Sequence, residues 1–280
     1  MRTILSIILI TIIFAVTPAF AEPPKTIAIA EPTSGMVCVT KMKDAFEPGR
    51  SSLRRVVVST TDQHGEKVQF IGGQAYKNFP DGKRMVLTML EPKDIRGLAY
   101  LFWERENRLD NWVYLPFIRR VREIKGDQAY DHFLGTEFTV SDIGLIRLPK
   151  ACELVEVTEY AGVRAYKVEE KVLPGGLYYS RIITWIRTDS FLPLQRDYYD
   201  IGGRLWKTAF FKEVTTIDKV PTPLLIEMKD LQSGYVTDFK ITNVANDVNI
   251  PDEFFDPKQL SKVANSPLWK AYSSQPPKGK

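Results

Sequence analysis

"KRMVLTML", Lys83 to Leu90, is apolar on both sides of a strand. Side chains alternate across an extended chain, so Met85, Leu87 and Met89 share one face while Val86, Thr88 and Leu90 share the other. "RGLAYLFWE", Arg96 to Glu104, repeats the pattern. Later runs are one-sided: Tyr235, Thr237, Phe239 and Ile241 oppose Asp238, Lys240 and Thr242, and Tyr166 and Val168 oppose Lys167 and Glu169. One-sided strands belong to a sheet that buries one face and wets the other. The two-sided pair therefore needs a cover on its second face: a helix, a partner or a ligand.

Working outward, the period of two runs from Ser51 to the residues after Tyr235. It is broken by turn signals at Asp62 to Gly65, Asp81-Gly82, Pro92 to Asp94, Ala161-Gly162, Pro174 to Gly176, Asp200 to Gly203 and Ser233-Gly234. About eleven strands in hairpin succession predict a mainly β, antiparallel meander. Open sheets beyond about ten twisted strands curl. The expected fold is thus an antiparallel half-barrel, an incomplete and strongly curved sheet capped by a few short helices, with room inside for an apolar guest. One helix is predicted over Met36 to Phe46. Ser34 caps it, Met36, Val39, Met42 and Phe46 recur at helical spacing, and Pro48-Gly49 stops it. That helix and the segment Gln128 to Leu145 are expected to pack across the mouth.

The candidate lining of the trough is Met85, Leu87, Met89, Leu98, Tyr100, Phe102, Trp112 and Tyr114, joined by Phe133 and Phe138 from the covering segment. A one-residue change of register would turn any of these strands inside out. In "HFLGTEFTVSDI", Ser141 and Asp142 are the expected caps of a short helix. Arg119, Arg120 and Arg122 follow Pro116, which ends a strand or holds it at an edge. They read either as a solvated face partnered by Glu123 and Asp127 or as a basic rim for lipid head groups or an acidic partner.

The N-terminus carries an address. "MRTILSIILITIIFAVTPAFA" has Arg2, an apolar run from Ile4 to Val16 and the small-x-small ending Ala19-Phe20-Ala21, so residues 1–21 read as a signal peptide cleaved after Ala21. The run is shorter than the roughly 20 residues a spanning helix needs. The expected compartment is the periplasm. Residues 22–33 are a Pro-containing lead-in, 34–260 a single domain, and 261–280 a basic tail expected to be disordered.

Bulk charge excludes little except nucleic acid. The formal net charge is +4, one unit of it from Arg2, too mild and too evenly mixed with acids for a nucleic-acid binder. The two cysteines, Cys38 and Cys152, make no disulfide framework, and spacing alone leaves their pairing open. No metal-ligand spacing or cofactor motif occurs. A hydrolase would need a nucleophile and a base. The candidates are His132 with Asp131 or Asp142, and His64 with Asp62 and Glu66, but no GxSxG elbow accompanies them. The chain is therefore expected not to be an enzyme.

"DNWVYLPFIRRVREI", "HFLGTEFTVSDI", "WIRTDSFLPLQRDYYDIGGRLWK" and "IPDEFFDPKQL" resemble the outer membrane lipoprotein-sorting protein family, a branch of the LolA/LolB-like superfamily of periplasmic carriers. The likeness is collinear from about Ser34 to Leu260. It implies a helix-capped half-barrel whose hydrophobic cavity holds acyl chains of lipoproteins or lipids and shuttles them toward the outer membrane. It further implies transient membrane contact, partnership with an RND-type inner-membrane exporter and an outer-membrane acceptor, and a monomeric carrier. This branch is longer than the superfamily's best-studied carrier, so its cargo need not be a lipoprotein. The competing reading is a non-lipid assembly or accessory factor for such an exporter.

Overall fold

The computed structural model describes residues 34–47, 49–105, 108–171, 178–263 and 265–269. Residues 1–33, where the signal peptide and lead-in are expected, and residues 270–280 lie outside them. Thirteen strands form one sheet. They are β1 (Ser51–Thr61), β2 (Lys67–Phe79), β3 (Gly82–Glu91), β4 (Ala99–Arg105), β5 (Arg108–Leu115), β6 (Arg120–Ile124) and β7 (Cys152–Tyr160). They continue as β8 (Val163–Lys171), β9 (Arg181–Arg187), β10 (Pro193–Tyr199), β11 (Leu205–Ile217), β12 (Val220–Asp230) and β13 (Val236–Asn246). The strand absent from the sequence reading is β6, where Arg120, Arg122 and Glu123 leave Val121 and Ile124 as the apolar positions, too few for an alternation to show.

The order of strands is β6-β5-β4-β3-β2-β1-β13-β12-β11-β10-β9-β8-β7, with every pair antiparallel and sequential except one. That exception sets the topology. β1 and β13 pair at the centre, Ser52 opposite Asn246 and Thr61 opposite Val236. The first six strands march from there to one edge. The chain then crosses from β6 to β7, the opposite edge, and the last seven strands march back. The sheet is an antiparallel half-barrel, open between β6 and β7, and the crossover of residues 125–151 lies over its concave face.

Side chains from both arms meet on that face. Met85, Leu87, Tyr100 and Phe102 from one arm, and Tyr198, Ala209, Met228 and Phe239 from the other, share one buried cluster with Phe133, Phe138, Val140, Ile143 and Leu145 of the crossover. Phe133 lies edge-on to Phe70 and Tyr100, while Phe138 lies edge-on to Phe239. A flat sheet could not bring β4 and β13 to the same short segment.

Helix α1 (Gly35–Phe46) bridges the arms as predicted, with Ser34 as its N-cap. Its 12 residues reach about 18 Å. At one end Cys38, Val39 and Met42 bury against Tyr166, Val168 and Ile186 of β8 and β9. The helix comes so close that a Cβ on Gly35 would lie 2.6 Å from the Glu153 backbone. At the other end Glu47 accepts from Lys83 of β3 at 2.9 Å and Lys43 pairs with Glu104 of β4 at 2.8 Å. Cys38 and Cys152 are both free thiols, and burial with the nearby Cys152 pushes the Cys38 thiol up to about 11.

The second apolar face of β3 and β4 is also covered. Leu53, Ala75, Val86, Ala99 and Leu101 bury against Ile250, Phe254, Phe255, Leu260, Val263 and Trp269. Residues 261–263 and 265–269, given by the sequence reading to a disordered tail, are therefore part of the packed body. Val263 and Trp269 are each 3% exposed, and the Trp269 indole donates to the Val263 carbonyl at 2.7 Å. The residue that makes room is Gly73, where a Cβ would stand 2.4 Å from the Trp269 ring. Polar flanks hid this strap: a lone tryptophan among serines, lysines and prolines carries no period.

Candidate functional site

Among the predicted lining residues, Met85, Leu87, Met89, Leu98, Tyr100, Phe102, Phe133 and Phe138 all point into the concave cluster. Trp112 and Tyr114 do not. Trp112 pairs with Leu101 and Tyr114 with Ala99. Antiparallel partners share a face, so both aromatics lie on the outer face with the C-terminal strap. Their neighbours Val113 and Leu115 take the inward positions instead. The error has a physical source: both faces of this arm are apolar, so hydrophobicity does not tell inside from outside.

Arg119, Arg120 and Arg122 are exposed on edge strand β6 and the turn before it. They stand with Phe117, 76% exposed, and with Ile118 and Val121, also exposed. Arg119 adopts a positive φ of 52° at the turn. Glu123, one expected partner, pairs with Lys125 at 3.2 Å.

The crossover does most of the filling. It runs as tight turns into α2 (Val140–Ile143), whose N-cap is Thr139 rather than Ser141 or Asp142. Thr139 Oγ1 accepts from the Asp142 amide and the Asp142 carboxylate accepts from the Thr139 amide, a reciprocal capping box. The same carboxylate then docks the segment. Lys207 of β11 is fully buried and donates to Asp142 Oδ2 at 2.8 Å and to the Glu137 carbonyl at 3.0 Å. Tyr179 donates to Asp142 at 2.9 Å, and Lys207 sits 5.0 to 5.5 Å from the Trp206, Tyr179 and Tyr198 rings. Burial opposes ionisation of Asp142, but Lys207 and the Thr139 hydrogen bonds hold its carboxyl below the usual range. Glu137 is the reverse: burial and the adjacent Asp230 raise it. Asp230, opposed by burial, is held low by the amides of Ser233 and Gln232 and by the Trp206 indole.

Beneath the crossover a cavity of about 70 Å³ remains. Its wall is mostly apolar, Tyr76, Met85, Phe138 and Ile143 among it, with Glu47, Arg54, Gln74, Asp142 and Arg196 as polar points. It is too small for a long acyl chain. The larger volume is the one occupied by the crossover's own side chains, which the chain could vacate by lifting a segment of turns rather than a strand. Cavity and crossover together form one apolar interior.

The histidines form no such arrangement. His64 is exposed in its hairpin and its amide donates to Asp62 at 2.8 Å. His132 Nδ1 donates to the Thr136 carbonyl at 2.7 Å, while Asp142 is committed to Lys207 and Tyr179. Among the described residues no cluster of three or more metal-ligating side chains occurs, and no helix is long and apolar enough to cross a membrane.

Sequence legibility missed Lys207. Its signal was a lysine sharing strand parity with Ala209 and Phe211, an inward face.

No curated protein matches the chain by sequence. Among solved structures, a DUF1329 family protein from Desulfovibrio piger is similar at 27% identity and a TM-score of 0.75, covering 81% of this chain and 97% of that one. A domain described as an outer membrane lipoprotein-sorting protein from Vibrio parahaemolyticus is 20% identical, TM-score 0.75, over 81% of this chain and 98% of its own. A LolA superfamily protein from Nitrosomonas europaea is 20% identical, TM-score 0.66, over 80% and 98%. A family model described as "-like: Uncharacterized protein" matches residues 81–262, more than half of the chain. The chain belongs to the family that this model describes, and it shares its half-barrel fold with these three structures.

Proposed function

We propose that this protein is a periplasmic carrier that accepts an acyl chain of a lipid or lipoprotein into its concave face and moves it toward the outer membrane. One observation carries the reading: the concave face is apolar from both arms, and what fills it is a turn-rich crossover held by the buried Lys207–Asp142 pair and a few hydrogen bonds, from Glu137 to Thr237 and from Ile146 to Glu47 and Lys43. The names of the two lipoprotein-sorting and LolA structures lend the reading support through the shared fold.

The energetics favour such a device. Moving an acyl chain of about sixteen carbons through water forfeits roughly 0.8 kcal/mol per CH₂, near 13 kcal/mol. A trough that replaces Phe133, Phe138, Val140, Ile143 and Leu145 by hydrocarbon exchanges one apolar filling for another. Uptake and release then turn on small differences between states rather than on the full transfer energy. The exposed Phe117, Ile118 and Val121 beside Arg119, Arg120 and Arg122 suit transient contact with an anionic bilayer. In this reading residues 1–21 direct export, the carrier acts as a monomer without catalysis, and an RND-type exporter and an outer-membrane acceptor stand at the two ends of the route.

Mass spectrometry of organic extracts from the chain, expressed with its leader and purified from periplasm, tests this. Acyl species should copurify in near-stoichiometric amount. Extracts no richer than those of a periplasmic control protein would point to an assembly factor instead.

A further inference from the structure

We propose that Arg54 and Gln74 form a headgroup site within the cavity, taking the anionic oxygens of a single-chain lipid, a carboxylate or a phosphate monoester. The assignment rests on the carriage reading and specifies its ligand.

The two residues are direct cross-strand partners, Arg54 of β1 opposite Gln74 of β2, and both line the cavity. Both are more than nine-tenths buried, at 5% and 7% exposure. Neither is fully spent. The Arg54 guanidinium donates through Nε to Ser52 Oγ at 3.3 Å, also hydrogen-bonds the Tyr76 hydroxyl and lies 5.1 Å from the Tyr76 ring, which leaves donors of its fork over. No carboxylate of the described residues lies within ion-pair distance of it. Gln74 donates only to the Met85 sulfur at 3.2 Å, a weak acceptor, and its Oε1 is buried with no partner.

The other charges on the wall are committed. Arg196 pairs with Glu170 at 2.9 Å. Glu47 takes Lys43, Lys83 and the Ile146 amide, and Asp142 takes Lys207 and Tyr179. Arg54 is thus the cation of this wall left without a counter-ion, next to an amide with an idle end. Buried charges are ordinarily paired and buried amides ordinarily bonded. A planar fork beside an amide suits an oxyanion: the guanidinium holds two oxygens, and the amide donates to one of these in a carboxylate or to a third in a phosphate monoester, or accepts from the proton of a singly protonated phosphate. The tail takes the larger apolar volume that the crossover's side chains fill when no lipid is bound.

Calorimetric titration of the purified full chain with three probes of equal tail length tests it: dodecanoate, dodecyl phosphate and dodecanol. At least one anionic probe should bind ~10-fold or more tighter than dodecanol, the gain expected from hydrogen bonds to a charged group. Preference for dodecanoate identifies free fatty acids as the source, preference for dodecyl phosphate a single-chain phosphate-monoester lipid, and either supports the site. Arg54→Met should bring the probes to a common affinity, and Gln74→Leu, which keeps the charge, should narrow the gap several-fold. If Arg54→Met does not fold, Gln74→Leu and Arg54→Lys decide, since both must narrow the gap. Equal affinity for all three probes in the unmodified chain overturns the headgroup site and leaves carriage standing. Failure of all three to bind overturns both.

Discussion

Lys207→Met removes the buried ion pair that ties the crossover to β11, and the loosening can be measured. Methionine keeps the length of the lysine stem, so the packing of β11 is little disturbed. What disappears are two hydrogen bonds, both ending on the crossover: 2.8 Å to Asp142 and 3.0 Å to the Glu137 carbonyl. Asp142, with a side chain 6% exposed, is left as a buried carboxylate held by Tyr179 and Thr139 alone. Breaking a buried pair from one side costs about 3–5 kcal/mol. Since 1.4 kcal/mol is tenfold, docking of the crossover should weaken by roughly 10²–10³-fold. Amide hydrogen exchange reads this directly. The amides of Phe133, Val140 and Ile143, which bond within the crossover, should exchange faster by that factor. Amides of the β1–β2 ladder should be slowed or hastened far less. Lipid uptake should quicken in parallel. Replacing both partners, Lys207→Met with Asp142→Leu, should recover part of the loss, because no charge is then stranded. Uniform acceleration across crossover and ladder would show that the pair holds the whole body, and the lid argument would fail.

Three further outcomes are expected. Glu137, raised by burial and Asp230, favours the fold while protonated, so that contribution is complete below the unfolded value near 4.3 and is lost as pH rises through the folded one. Glu137→Gln should therefore raise resistance to urea at pH 7 but not at pH 4, and equal effects at both pH values would contradict the assignment. Gly73→Ala should cost about 1–3 kcal/mol by pressing on the Trp269 ring. In a Trp269→Ala background the same change should cost almost nothing, and simple additivity in chemical denaturation would mean that the strap does not pack there. Replacing Arg119 and Arg120 by serine should weaken cosedimentation with phosphatidylglycerol vesicles by about thirtyfold, at roughly 1 kcal/mol for each charge. Unchanged sedimentation would return these arginines to the role of a solvated edge.

Alternation made the architecture readable. Tyr235 to Ile241 and the double-sided Lys83 to Leu90 dictate a single curved sheet with something over each apolar face, and that is what forms. The helix from Gly35 was legible because a serine cap, a helical stripe and a Pro-Gly stop coincide. Less legible was anything in which a polar residue goes inward. Lys207, Lys83 and Arg54 sit on buried faces because of partners or neighbours distant in sequence, and a lysine in a strand gives no sign of which it will meet. Trp112 and Tyr114 show the complementary difficulty. Where both faces are apolar, only the pairing register separates them, and register is a property of two strands rather than one.

Because the segment joining β6 to β7 is one continuous run of chain tied to both rims, it behaves as a chord drawn across an arc. Its length limits how far the rims can part while it stays seated, so widening of the bowl and lifting of its cover are mechanically the same event. A donor or acceptor that grips only one rim, such as the arginine-bearing edge, can therefore work the distant cover by traction, without ever touching the bowl's contents.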